Sequence, residues 1–306
     1  MKDDIRLFDS ATQLDASARG RVVVCGSHGA LYAAWLAATA GVRAVILNDA
    51  GIGRHSAGVA GVAWLAGLGI PACAVDHRSA RIGDGADTLA SGVVTMANEV
   101  ASLHGCLPGY SCRQAVECLV ENAEQETGEI PEIGETRSRV PNSGHRAVWA
   151  VDSVSLVRPE DDRQIVVTGS HGALLGGKAD HVLDIEVFAA FFNDAGGGKD
   201  GAGFSRLPAL DERGIAGGTV SCHTARIGDG RSSYETGVLS RINETAAAGA
   251  ARRHVLPPGG RAPRGVGLTP GPQGFRFARK KRTTASRASA ASLRLAMTRT
   301  IPPRPP

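Results

Sequence analysis

The chain lacks any CxxC pair. Its six cysteines, Cys25, Cys73, Cys106, Cys112, Cys118 and Cys222, are scattered, so neither a zinc ribbon nor a disulfide framework is expected. It also lacks the HxH and HExxH signatures, whose paired histidines would present imidazoles to one metal ion. The charged start, Met1-Lys2-Asp3-Asp4, has no apolar stretch behind it, so no secretory signal is expected and a cytoplasmic, reducing location follows. One run, Val59 to Val75, has no charge in 17 residues and could be taken for a membrane span. The glycines within it suit a helix, a turn and a strand instead, so no membrane association is expected. Acidic residues vanish after Glu244, whereas 13 of the 34 basic residues lie between Arg252 and Arg304. The rest of the chain therefore sets 21 basic against 30 acidic residues, and the overall charge of +4 hides a body near −9 and a tail near +13.

Such a tail could hold nucleic acid or another acidic surface through counterion release. No nucleic-acid partner is expected elsewhere. From Arg253 onward the chain is rich in Arg, Pro, Gly, Ala and Ser without a hydrophobic period. This change fits a segment that forms no core, or one read out of frame.

What the chain does have is repetition. Asp9-Ser10 returns as Asp152-Ser153, and Gly26-Ser27-His28-Gly29-Ala30 as Gly169-Ser170-His171-Gly172-Ala173, both 143 positions later. From there the offset is 145: Asn48-Asp49-Ala50-Gly51 returns at Asn193-Asp194-Ala195-Gly196, Ala80-Arg81-Ile82-Gly83-Asp84-Gly85 at Ala225-Arg226-Ile227-Gly228-Asp229-Gly230, and Asn98-Glu99 at Asn243-Glu244. A register kept through one two-residue insertion is what a tandem duplication leaves. The expected units are 5–125 and 146–250, joined by a linker over 126–145 and followed by the tail, 251–306.

Within each unit, β-branched runs such as Arg21 to Val24 and Gln164 to Val167 end in glycine-rich turns and read as buried parallel strands. Ala44 to Leu47 and Phe188 to Phe192 read as second strands. Ala72 to Val75 and Gly218 to Val220 read as third strands. Helices are expected over Leu31 to Ala38, around Gly58 to Gly67, and near Leu89 to Leu103 and Glu235 to Ala247. The alternation implies right-handed crossovers and an α/β class: two tandem, pseudo-symmetric three-layer domains with mainly parallel sheets, Rossmann-like or caspase-like. Ligands of such sheets bind beyond the strand carboxyl ends, and the three repeated polar phrases fall there.

Each phrase has a chemical and a structural reading. Gly-Ser-His-Gly offers backbone N–H groups, a hydroxyl and an imidazole for an anion, with Ser27, Ser170 and Gly172 as contacts and His28 or His171 as acid or base; glycines also simply make turns. Asn-Asp-Ala-Gly offers Asn48 or Asn193 to a ligand and Asp49 or Asp194 to orient a base or activate water; both types also cap helices. Arg-Ile-Gly-Asp-Gly offers Arg81 or Arg226 to a carboxylate and Asp84 or Asp229 to a proton or water, or else the two charges pair with each other. Copy two continues with Gly196-Gly197-Gly198-Lys199-Asp200, which adds backbone access, Lys199 and Asp200 and makes it the preferred site. No cofactor is expected. His28, Asp49 and Asp84 are suitable ligand types for a divalent metal, although their spacing carries no metal signature.

The turns Ser27-His28-Gly29 and Asn48-Asp49-Ala50-Gly51-Ile52-Gly53, with Ser170-His171-Gly172 and Asn193-Asp194-Ala195-Gly196, resemble the His-Gly turn and nucleophile turn of caspase-like peptidases, particularly the CHAT branch. The resemblance covers about a third of each copy. Asn48 and Asn193 stand where that family has its nucleophilic Cys, so it implies the fold without the peptidase activity. The function expected is a hydrolase-type enzyme for a small polar, carboxylate-bearing substrate. The alternatives are a non-catalytic small-anion binding protein or a structural pseudo-dimeric assembly component, and the duplication is also compatible with a homo-oligomer.

Overall fold

The computed structural model describes residues 4–122, 128–178, 183–254 and 275–276. In the first half, Ile5–Phe8 (β1), Val22–His28 (β2), Ala44–Asn48 (β3) and Ala72–Val75 (β4) pair in parallel. Leu31–Thr39 (α1) connects β2 to β3, and Ala60–Ala66 (α2) connects β3 to β4. Gly85–Ser91 (α3), Val94–Ala97 (β5), Glu99–Leu103 (α4) and Cys112–Asn122 (α5) follow, with β5 antiparallel to β4. Strand order along the sheet is β1-β2-β3-β4-β5. β2, β3 and β4 are apolar at nearly every position because helices cover both faces. Val23, Cys25, Val45, Leu47, Ala72 and Ala74 pack with α1 and α2. Val22, Val24, Ala44, Ile46, Cys73 and Val75 face Ala101 of α4 and Cys112, Ala115, Val116 and Leu119 of α5.

The second half contains Arg137–Val140 (β6), Val148–Val151 (β7), Ile165–His171 (β8), Ala189–Asn193 (β9), Arg206–Glu212 (α6), Ala216–Val220 (β10), Gly230–Thr236 (α7), Val238–Ile242 (β11), Glu244–His254 (α8) and Phe275–Arg276 (β12). Its sheet runs β12-β11-β10-β9-β8-β7-β6, with β7 to β10 parallel and β6, β11 and β12 antiparallel to their neighbours. The two sheets share two local irregularities, one between β4 and β5 that recurs between β10 and β11, and one at the histidines. β2 shifts register against β3 so that His28 lies opposite Asn48, and β8 shifts against β9 so that His171 lies opposite Asn193.

Two sequence expectations are corrected. The single closing helix expected near Leu89 to Leu103, and its counterpart over Glu235 to Ala247, is a helix, an antiparallel strand and a second helix. Gly92 leaves the helix in extended backbone, φ −60° and ψ 138°, where a Cβ would overlap the Thr88 carbonyl and sit 3.0 Å from the Val75 side chain. Val93-Val94-Thr95 then favours a strand. Asn98 opens α4 as its N-cap, accepting from Ala101 N–H at 2.9 Å while its amide donates to the Val62 and Ile70 carbonyls. The expected linker, 126–145, contains β6, held at the sheet edge by Arg137, which pairs with buried Asp161 at 2.7 Å and stacks 3.6 Å from the Trp149 ring centre.

The halves also differ inside. At Gly61, Ala34 of α1 and the Ala30 carbonyl leave no room for a side chain. The position 145 residues on is Arg206, 2% exposed, donating from Nε to the Ala173 carbonyl at 2.9 Å. No helix of the described residues is long and apolar enough to cross a membrane. The basic tail lies outside the described residues, apart from the end of α8 and the strand β12.

Candidate functional site between the two sheets

The carboxyl ends of the two parallel sheets face each other, and the repeated phrases form the contact. Arg54 N–H donates to the Cys222 carbonyl at 2.7 Å, and Lys199 N–H donates to the His77 carbonyl at 2.7 Å. These bonds are reciprocal, because 54 and 199, like 77 and 222, are 145 apart. An apolar seam fills the junction from Ala30, Ala50, Ala57 and Ile82 on one side and Ala173, Ala195, Ala202 and Ile227 on the other. Gly51 and Gly196 meet at its centre, where a Cβ on Gly51 would stand 3.1 Å from Gly196 Cα and 3.2 Å from Cys222 Sγ. Both glycines hold positive φ, 74° and 76°, which disfavours any other residue.

Most of the polar side chains are engaged in shaping these turns. Asn48 Oδ1 accepts from Ala50 N–H, and Asn193 Oδ1 from Ala195 N–H, each at 2.9 Å. Asp49 accepts from the backbone of Gly51 and His77, and Asp194 from that of Gly196 and Cys222. Asp84 and Asp229 are the N-caps of α3 and α7. Ser27 accepts from Ala11 N–H at 2.8 Å, and Ser170 from Val154 N–H at 2.9 Å. Gly172 lies so close to the Gly203 carbonyl that a Cβ would overlap it. Each of these bonds satisfies a backbone group that would otherwise be costly to bury.

The two histidines sit side by side on the junction, edge to face, with ring centres 6.2 Å apart. His28 Nδ1 faces Ala30 N–H at 3.3 Å, and His171 Nδ1 faces Ala173 N–H at 3.2 Å. In a neutral imidazole this places the proton on Nε2. Burial pushes His28 down to about 4. Burial, then the charge of Arg206, then His28 hold His171 well below the ordinary histidine range. Burial lowers Arg206 itself to about 10.

Arg81 and Arg226 occupy two corresponding grooves with different contents. In the first-half groove, Arg81 pairs with Asp200 at 2.6 Å, and Lys199 Nζ pairs with Asp87 at 2.7 Å. Lys199 and Asp200, expected to serve the second copy, thus reach across and pair with Asp87 and Arg81 of the first. In the second-half groove, Ser232 stands at the Asp87 position and His55 at the Asp200 position. Arg226 Nε bonds Asp229 at 3.0 Å, and Arg54 donates to the Thr224 carbonyl at 2.9 Å. An open depression of about 500 Å³ remains, lined by Arg54, Arg226, Arg231, Asp229, Ser232 and Thr236, with Asp152 and Thr136 on its wall.

The predicted residues therefore divide. Arg226 and Asp229 line the open groove; Arg81, Lys199 and Asp200 close the other. His28 and His171 lie on the junction, Asp49, Asp194, Asn48 and Asn193 support the strand-end turns, and Ser27 and Ser170 reach toward Ala11 and Val154. His28, Asp49 and Asp84 do not form one ligand set. Among the described residues, the group of three metal-capable side chains with ligand atoms within 4.8 Å is Asp49, Asp76 and His77, and it is joined internally by His77 Nδ1 facing Asp49 Oδ1 at 2.8 Å and Asp76 Oδ1 at 3.3 Å. Sequence reasoning missed Arg54, Arg231, Ser232 and His77. The signal for Arg54 was present, since the matching position, Lys199, is also basic. His77 had none, because its counterpart is Cys222, whose thiol is pushed up to about 12 by burial and then by Asp194. Comparison of this two-sheet α/β chain with family models, with curated proteins and with solved structures finds no match.

Proposed function

We propose that the chain is a binding protein for a small polar molecule with an anionic group, taken up in the second-half groove, and that its two halves are copies of one unit. The observation that carries the reading is the difference between the grooves. Asp200 of the opposite half is the anion on Arg81 in one of them, whereas Arg226 takes its carboxylate from Asp229 of its own half and has His55 at the position corresponding to Asp200. A ligand carboxylate or phosphate on Arg226 would occupy the place that Asp200 fills on Arg81, with Arg54, Arg231 and the Ser232 hydroxyl as further donors. The mixed lining, three arginines with Asp152, Asp229 and Glu235, favours a ligand that also carries donors, such as a hydroxy- or amino-acid. The test is isothermal titration of the full chain against a panel of small hydroxy-, amino- and dicarboxylates and inorganic phosphate. The reading expects saturable binding at one site that Arg226→Ala weakens; no binding across the panel would remove it.

A hydrolase reading keeps one specific observation in its favour. The Asp49 carboxylate holds the His77 imidazole at 2.8 Å, the arrangement in which a carboxylate orients a general base. Mass spectrometry of the same panel distinguishes the two readings. Product that depends on His77 favours the hydrolase, and binding without product favours the binding protein.

A further inference from the structure

Four of the six cysteines, Cys73, Cys106, Cys112 and Cys118, belong to one face of the first sheet, with Cys118 at the edge of the apolar cluster that contains the others. Positions 145 residues on hold Gly218, Ala251, Pro257 and Pro263, so the cluster belongs to the first half alone. Within it, Cys106 and Cys118 interlock. Cys106, in the loop after α4, points its Sγ at the Ala115 carbonyl of α5, 3.5 Å away and one turn before Cys118. Cys118 points its Sγ back at the Gly105 carbonyl, 3.8 Å away and one residue before Cys106. A Cβ on Gly105 would touch Cys118 Sγ at 3.9 Å. The loop between the two helices contains Gly105 and Gly109, both at positive φ, 86° and 91°, so only two residues with wide backbone freedom separate Cys106 from a change of direction on either side. Cys106 is fully buried and Cys118 is half-buried.

We infer that Cys106 and Cys118 form a hydroperoxide-responsive dithiol, a modification site that closes as an intramolecular disulfide tying the α4–α5 loop to α5. Cys118, the accessible member, attacks the peroxide O–O bond as thiolate; the Cys118 sulfur becomes a sulfenic acid, and the departing oxygen leaves as water after taking up a proton. Cys106 thiolate then attacks Cys118 Sγ and displaces hydroxide, which is protonated to a second water. Two thiols and one hydrogen peroxide give one disulfide and two waters. The resolving step needs a thiolate at Cys106. A hydrogen bond from Cys73 holds the Cys106 thiol below its ordinary range against the opposing effect of burial, whereas burial and then the neighbouring Cys106 raise the Cys118 thiol, so the first step draws on a small thiolate fraction and is the slower of the two. A three-thiolate metal site is the competing use of these side chains, but among the described residues no three cysteine sulfurs lie within 4.8 Å of one another.

The test uses the full chain, reduced, desalted and exposed to hydrogen peroxide, then alkylated and mapped by mass spectrometry without reduction. The expected result is a linked peptide pair containing Cys106 and Cys118, loss of two of the six thiols, and recovery with dithiothreitol. Cys106→Ser should leave Cys118 as a sulfenic acid trapped by dimedone, and Cys118→Ser should slow oxidation of Cys106 by at least about tenfold, since access limits the first step. The inference is overturned if both cysteines of the wild-type chain remain alkylated after peroxide. It is equally overturned if Cys106 pairs with Cys73, or if the cross-link joins two chains. The wild-type map decides these outcomes even where a variant fails to fold.

Discussion

The two grooves beside the junction begin from the same sequence phrase and end with opposite occupancy. Arg81 and Arg226 follow equivalent strands and precede equivalent helix caps, yet Arg81 meets a carboxylate supplied by the other half and Arg226 does not. The difference lies in a few short substitutions, Asp87 against Ser232 and Asp200 against His55, on a backbone that is otherwise shared. Asp200 and His55 even hold the same left-handed conformation, φ 53° and 54°. At these corresponding positions the two halves thus differ in charge more than in backbone conformation.

The largest expected effect tests what the grooves share. Gly58 and Gly203 each lie against a strand-end carbonyl, Asp49 O and Asp194 O, where a Cβ would overlap backbone atoms. Gly58→Ala and Gly203→Ala should each cost about 3 kcal/mol or more, seen as matched losses of thermal midpoint. A loss in one half only would break the equivalence. Next in size, Arg226→Ala should weaken anion binding by at least about tenfold, the usual consequence of removing a hydrogen bond to a charged group, while Arg81→Ala leaves it unchanged. His55→Asp should weaken it as strongly by adding an opposite-half carboxylate to the one Asp229 already gives Arg226. Titration calorimetry reads all three.

The same comparison can be run in reverse. Asp200→Ala removes the nearer of the two carboxylates on Arg81, the other being Asp87 at 3.4 Å, and should raise the number of anion sites from one to two; a stoichiometry that stays at one would show that Lys199 and Asp87 alone close the first groove. A smaller effect comes from the histidine pair. His28 falls to about 4 in the folded chain against 6.5 for an unburied histidine, so the unfolded chain takes up the proton first as pH falls. Stability from this source is complete above about pH 6.5 and is lost as pH falls toward 4. The thermal midpoint should therefore drop between pH 7 and pH 5, and His28→Gln should flatten that slope. Smallest of all, Lys199→Met removes a pair that is partly exposed and should change stability by no more than about 1 kcal/mol.

Much of the fold was legible. The runs at Val22 to Val24, Ala44 to Leu47 and Ala72 to Val75 read as strands because parallel strands buried on both faces must be apolar throughout. The closing helices were misread because their helical residues surround a four- or five-residue strand, a length at which propensity on either side outweighs the signal within. The candidate site was legible in its parts. Pairing of the two charges was the plain alternative for Arg-Ile-Gly-Asp-Gly; Arg226 does pair with Asp229, whereas Arg81 pairs with Asp200, and Asp84 and Asp229 also cap α3 and α7. The reach of Lys199 and Asp200 into the opposite groove left no trace, since residues more than a hundred positions apart carry no spacing rule that joins them.

From the sequence alone came the paired phrases, the α/β alternation and the placement of polar residues at strand ends, because each depends on local pattern and on the backbone freedom of glycine. The tertiary structure alone decided that those ends face one another, that His28 meets His171, and which arginine takes its carboxylate from the opposite half. Those outcomes depend on how two separately legible sheets pack through the small apolar seam around Ala50 and Ala195. Such packing fixes distances between distant residues, and no local run of sequence encodes a distance of that kind.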